Sequence, residues 1–106
     1  MKTAIVIDTQ GHMSVLDISV RSLEQMQAAV GGYVQAVDLD DDRTLWCNEE
    51  GKMMRLEHNP FAQDLWDRAL GADTDYIVGS VVITGGTDAE GETMGLTPEQ
   101  VVSLGV

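Results

Sequence analysis

Apolar and polar positions alternate in short bursts along this chain, separated by Gly, Asn and Asp. Thr3 to Asp8 (TAIVID) and Met13 to Ile18 (MSVLDI) are apolar, β-branched runs joined by Thr9, Gln10, Gly11 and His12. Runs of that composition favour strands, and a four-residue connection with a glycine closes a hairpin, so two antiparallel strands are expected first. The period changes at Ser22. Leu23, Met26, Gln27 and Val30 recur at helical spacing, with Ser22 the expected cap, Gln25 completing a capping box, and Gly31 the stop.

A second hairpin is expected from Tyr33–Leu39 (YVQAVDL) and Arg43–Asn48 (RTLWCN), with Asp40, Asp41 and Asp42 at its tip. Its first strand is apolar on both faces, which predicts a central position in the sheet. Glu49 to Gly51 read as a turn, and Lys52–Leu56 (KMMRL) as a short returning strand with Met53 and Met54 as core filler. Asn59 as cap, Pro60 in the first turn and Gly71 at the exit bound a second helix. Ala62, Leu65, Trp66, Ala69 and Leu70 form its buried face, leaving Gln63, Asp64, Asp67 and Arg68 to water. Tyr76–Thr84 (YIVGSVVIT) predicts a central strand, with Gly79 marking a bulge or a close backbone approach. Gly85 to Gly95 is expected to be a mobile surface loop, and Thr97, Pro98 and Gln100 start a short terminal helix. Together these predict one α+β domain over residues 1–106, a mainly antiparallel five- to six-stranded sheet packed on two helices.

Charge narrows the classes of function. The chain has 106 residues, 18 of them acidic against 6 basic, for a formal net charge of −12. Affinity for nucleic acids and anionic membranes comes from Lys and Arg, so neither is an expected partner. Solubility alone accounts for such a surface; the sharper reading is attraction to a basic protein surface, including mimicry of a nucleic acid. There is no apolar span of transmembrane length, and Asp8 interrupts the N-terminal apolar run, so a cytoplasmic location is expected. The single cysteine, Cys47, reads as an ordinary core or half-buried thiol.

Candidate chemistry is sparse. Asp38, Asp40, Asp42 and Glu49 stand at positions 1, 3, 5 and 12 of a calcium loop, but position 6, where the turn needs glycine, is Arg43. Strand-like sequence precedes the loop where a helix is required, so no metal is expected. His12 and His58 have no metal-ligand spacing with each other or with Cys47. A trio of His58, Glu49 and Glu50 could serve acid–base chemistry, which leaves a small hydrolase as a third reading. No catalytic residue and no cofactor is assigned. The binding alternative is a pocket formed by Tyr33, Asn48, Glu50 and Asn59, where the end of a sheet would meet a helix N-terminus.

The motif order GGYVQAV, NEEGKMM, HNPFA, IVGSVVITG, a later EG and then GLTPEQ, covering about Val30 to Gln100, resembles the family called domain of unknown function 3846. The resemblance implies an accessory gene product of actinobacteria, their phages or mobile elements. It brings no assigned activity, cofactor or catalytic residue. The expected function is non-enzymatic binding of a host or phage protein with a basic surface, with homo-oligomerisation through strand edges as a further expectation. The alternative is a small-ligand module, such as a sponge for a nucleotide signal, at Tyr33, Asn48, Glu50 and Asn59.

Overall fold

In the computed structural model, which describes residues 1–105, two β-hairpins flank one central strand. Val106, the last residue of the expected domain, lies outside the described residues. Strands β1 (Thr3–Ile7) and β2 (Met13–Asp17) form the first hairpin, and β3 (Val34–Asp38) and β4 (Arg43–Asn48) the second. Strand β5 (Val81–Gly85) lies between β1 and β4, antiparallel to both, giving the order β2-β1-β5-β4-β3. Helices α1 (Ser22–Val30), α2 (Pro60–Leu70) and α3 (Pro98–Ser103) complete an α+β domain.

Side chains alternate across the sheet, so each face has its own core. Ile5, Ile7, Leu45, Val81 and Ile83 meet Ala62 and Trp66 of α2, with Val101 and Leu104 packing from the α3 end. Ala4, Val82 and Trp46 on the other face meet Met26 and Val30 of α1. Strand β5 is buried throughout, because helices cover it on both faces and strands on both edges.

Several expectations change once distant segments meet. Strand β3 is an edge strand, not a central one: Gln35 and Ala36 are exposed, and only Val34 and Val37 contribute partly to the cores. Lys52–Leu56 is a set of tight turns rather than a strand. Met54 N donates to Glu50 O and Leu56 N to Gly51 O, Arg55 adopts φ +56°, and Met53 and Met54 are exposed. The expected strand from Tyr76 to Thr84 is divided at Gly79, whose φ of +74° turns the chain. Val78 bridges to His58 instead, and Asn59 N donates to Ile77 O at 2.9 Å.

Helix α1 has no side-chain cap at Ser22. It begins after Arg21 in the left-handed region (φ +53°), and its stop at Gly31 (φ +81°) is as expected. The 85–95 segment is bound rather than loose. Thr87 bridges to Thr93, and the Asp88 carboxylate accepts from Glu90 N and Glu92 N, both at 2.9 Å. Helices α2 and α3 start where their local signals put them, at Asn59 and at a complete capping box on Thr97. Gln63 of α2 does not face only water: its amide oxygen accepts from Ile77 N at 2.8 Å.

Candidate functional site

The sheet is wider than the helices that cover it. Beside α2, the outer part of β3 and β4 is left open, and a cleft of about 120 Å³ forms there. Gln35 and Val37 of β3, Cys47 of β4, Trp66 of α2 and Tyr76 and Ile77 line it. Trp66 is locked in place: its ring N–H donates to Thr74 Oγ1 at 2.7 Å, and that hydroxyl donates to Gly71 O.

An ion pair of Lys52 with Asp75 spans the mouth, joining the 49–56 turns to the connection after α2. The Lys52 ammonium also stands 4.4 Å from the centroid of the Tyr76 ring, within cation–π range. The hydrogen bond to Asp75 raises the pKa of Lys52, and the same bond lowers that of Asp75. Burial pushes the Cys47 thiol up, helped by the Asp75 charge and opposed by Lys52, so the thiol stays protonated at neutral pH. It is a poor nucleophile in this setting.

A second hollow, an open trough of about 380 Å³, lies at the other end of β3, lined by Asp38, Asp40, Asp41, Gly86 and Thr87. Here the β3–β4 tip meets the 86–93 loop: a Cβ built on Gly86 would stand 3.2 Å from Asp41 O. Gln100 Nε2 donates to Asp42 O at 3.0 Å and holds the tip against α3. Partial burial raises the pKa of Asp40, but Arg43, 2.7 Å away, and the Asp42 amide together bring it below the ordinary value.

The four residues expected to form a pocket are not gathered into one. Asn48 lines the cleft, but its amide donates to Val30 O at 3.2 Å and its oxygen accepts from Glu50 N at 2.8 Å. Asn59 is fully buried and entirely occupied: Nδ2 donates to Ile7 O and Gly79 O, and Oδ1 accepts from Ala62 N. Tyr33 is exposed, and so is Glu50. Glu49, Glu50 and His58 are exposed as well, and the hydrogen-bond partner of the His58 ring is Gln63. Among the described residues, no three His, Cys, Asp or Glu side chains are placed to hold a metal ion, and no buried side-chain nitrogen or oxygen is without a partner.

Sequence reasoning missed Lys52, Asp75 and Tyr76. Their one legible signal was Lys52 itself, a rare cation in an acidic chain, since the carboxylate it pairs with, Asp75, lies 23 positions away.

Fold and site together define a small α+β domain, an open antiparallel sheet with helices on both faces and one edge left bare beside a cleft. The chain belongs to the family described as domain of unknown function (DUF3846), whose family model matches residues 1–105. No curated protein and no solved structure matches it. No helix among the described residues is long and apolar enough to cross a membrane.

Proposed function

We propose that the protein is a non-enzymatic accessory factor of a phage or mobile element that acts in the cytoplasm by binding a host or phage protein with a basic surface. One observation carries this reading: the β3–β4 tip and the distant 86–93 loop meet at one trough, where the tip supplies the carboxylates of Asp38, Asp40 and Asp41 and the loop supplies Gly86 and Thr87. Such a trough suits Lys or Arg side chains, and carboxylates around it speed encounter with a cationic surface. Of the trough's carboxylates, Asp40 is already paired with Arg43 at 2.7 Å, which leaves Asp38 and Asp41 for an incoming cation. Lys52, Arg68 and Arg21 each sit against a carboxylate elsewhere.

Cleft size favours a protein partner over a small ligand. A volume of about 120 Å³ is below the roughly 300 Å³ at which drug-sized sites begin, but it suffices for a single side chain. The acidic trough is larger, yet its carboxylates repel a nucleotide.

The test is capture from a host lysate by the immobilised wild-type protein and by a double variant, Asp38→Lys with Asp41→Lys, at low and moderate salt. The wild type is expected to retain a basic protein whose purified form binds more weakly as salt rises, and about tenfold more weakly to the double variant. Capture of nothing at either salt, or equal affinity for both proteins, overturns the proposal.

A further inference from the structure

Strand β3 is bonded on one side only. Leu39 N donates to Arg43 O and Glu49 N to Tyr33 O, which makes these the hydrogen-bonded pairs of the β3–β4 ladder. Bonded and unbonded pairs alternate in an antiparallel ladder, so Gln35–Cys47 and Val37–Leu45 are also bonded pairs. The main-chain N–H and C=O groups of Val34, Ala36 and Asp38 therefore point away from the sheet, to the free edge. Proteins usually blunt such an edge with Lys, Pro or a bulge. This strand, VQAVD, has neither residue, and its register with β4 is unbroken.

What surrounds β3 separates it from β2, the other edge. On the α2 face, Gln35 and Val37 border the cleft, whose rim carries exposed Met53 and Tyr76, and exposed Tyr33 precedes the strand. Acidic groups stand at both ends, Asp38, Asp40 and Asp41 at one and Glu49 and Glu50 at the other.

Resting on the protein-binding reading, we infer that β3 is a strand-addition site for an extended segment of the partner that carries alternating apolar and basic side chains. Main-chain bonds to residues 34, 36 and 38 supply register, the cleft takes one apolar side chain, and the trough takes a Lys or Arg. Charge argues against a second copy of this chain on the same edge. Pairing β3 with β3 would join two chains of net charge −12 and set an acidic tip at each end of the joined ladder.

The experiment selects random decapeptides displayed on a carrier against the wild-type protein, with Ala36→Pro as the comparison. Ala36 is exposed, and its N–H faces the free edge, so proline there removes an outward donor without breaking the β3–β4 ladder. Enriched peptides are expected to alternate apolar and basic residues, to weaken with salt and to lose about tenfold in affinity for Ala36→Pro. Synthetic copies should slow amide exchange at Val34, Ala36 and Asp38 of the wild type. This readout stands even where the proline variant does not fold.

Enriched peptides that are acidic, or that bind with those three amides still exchanging freely, overturn the site. So does failure to enrich any peptide, or a wild-type dimer that protects the same amides. A basic partner that binds the wild type while the β3 amides stay unprotected removes this site and leaves the protein-binding reading intact. Loss of all basic partners removes both.

Discussion

Replacing Asn59 by Ala tests the account of how the fold is tied together. Its side chain caps α2 through Ala62 N at 3.0 Å, and its amide donates to Ile7 O at 3.1 Å and to Gly79 O at 2.9 Å. One fully buried residue thus joins the end of β1, the turn before β5 and the start of α2. Alanine removes a cap worth about 1 kcal/mol and leaves two buried carbonyls short of a donor, at about 1 kcal/mol or more each. The expected loss is about 3 kcal/mol, a large share of the roughly 5–15 kcal/mol that holds a domain together. In urea, with a slope of about 1.5 kcal/mol per molar for a chain of this size, the midpoint should fall by about 2 M. Trp46 and Trp66, one packed on each face of the sheet, report the transition by fluorescence.

Two further variants separate the parts. Asn59→Ser keeps an acceptor for the cap and should fall between wild type and Ala. Asn59→Asp also keeps the cap but turns a buried carboxylate toward two carbonyls, which raises its folded pKa. Its penalty should be full at neutral pH and should shrink as pH falls toward the ordinary aspartate range, where the acid protonates. A midpoint shift under about 0.5 M for Asn59→Ala, with an unchanged slope, would refute the reasoning.

Three other outcomes follow from the structure. Gly79→Ala meets both a left-handed backbone and Leu56 Cδ1 at 2.8 Å from the new Cβ, so a loss of roughly 1–3 kcal/mol is expected in the same urea assay; wild-type stability would contradict it. Lys52→Met removes an exposed ion pair and should cost less than about 1 kcal/mol, yet the limiting high-pH rate of Cys47 labelling by a neutral thiol reagent, read there because loss of Lys52 itself raises the thiol pKa, should quicken as the cleft mouth loosens; an unchanged limiting rate would show that the pair does not guard the thiol. Asp8, Asp17, Asp40 and Asp75 all have pKa values held below the ordinary 3.8, chiefly by hydrogen bonds to main-chain amides, Ser19, Arg43 and Lys52. A depressed carboxylate stabilises the fold above its unfolded value and loses that contribution as pH falls through its folded one, so urea midpoints measured at successive pH values should decline below about 3.8. A midpoint that rises through that range would contradict the assignment.

The features legible in the sequence are those decided within a few residues. Asn59 with Pro60 and the Thr97 to Gln100 box announce their helices because a cap bonds an amide two or three positions away. Both hairpins, Gly31 as the stop of α1 and Trp66 in the core were legible for the same reason: turn chemistry and helical period are local. Asn59 was marked as important, but its role as a tie between three segments depends on Ile7 and Gly79, 52 and 20 positions away.

Only the tertiary structure decided which strands lie inside. The YVQAVDL pattern of apolar residues on both faces fits a central strand as well as an edge, and β5 took the centre because its run is the one buried on both faces. The turns at residues 52–56 and the division at Gly79 come from segments meeting across the fold: Leu56 fills the space a side chain at position 79 would need. The cleft and the acidic trough are likewise gaps between elements. Their linings bring Gln35 together with Tyr76 and Asp40 with Gly86, and no local pattern encodes a space bounded by residues some forty positions apart.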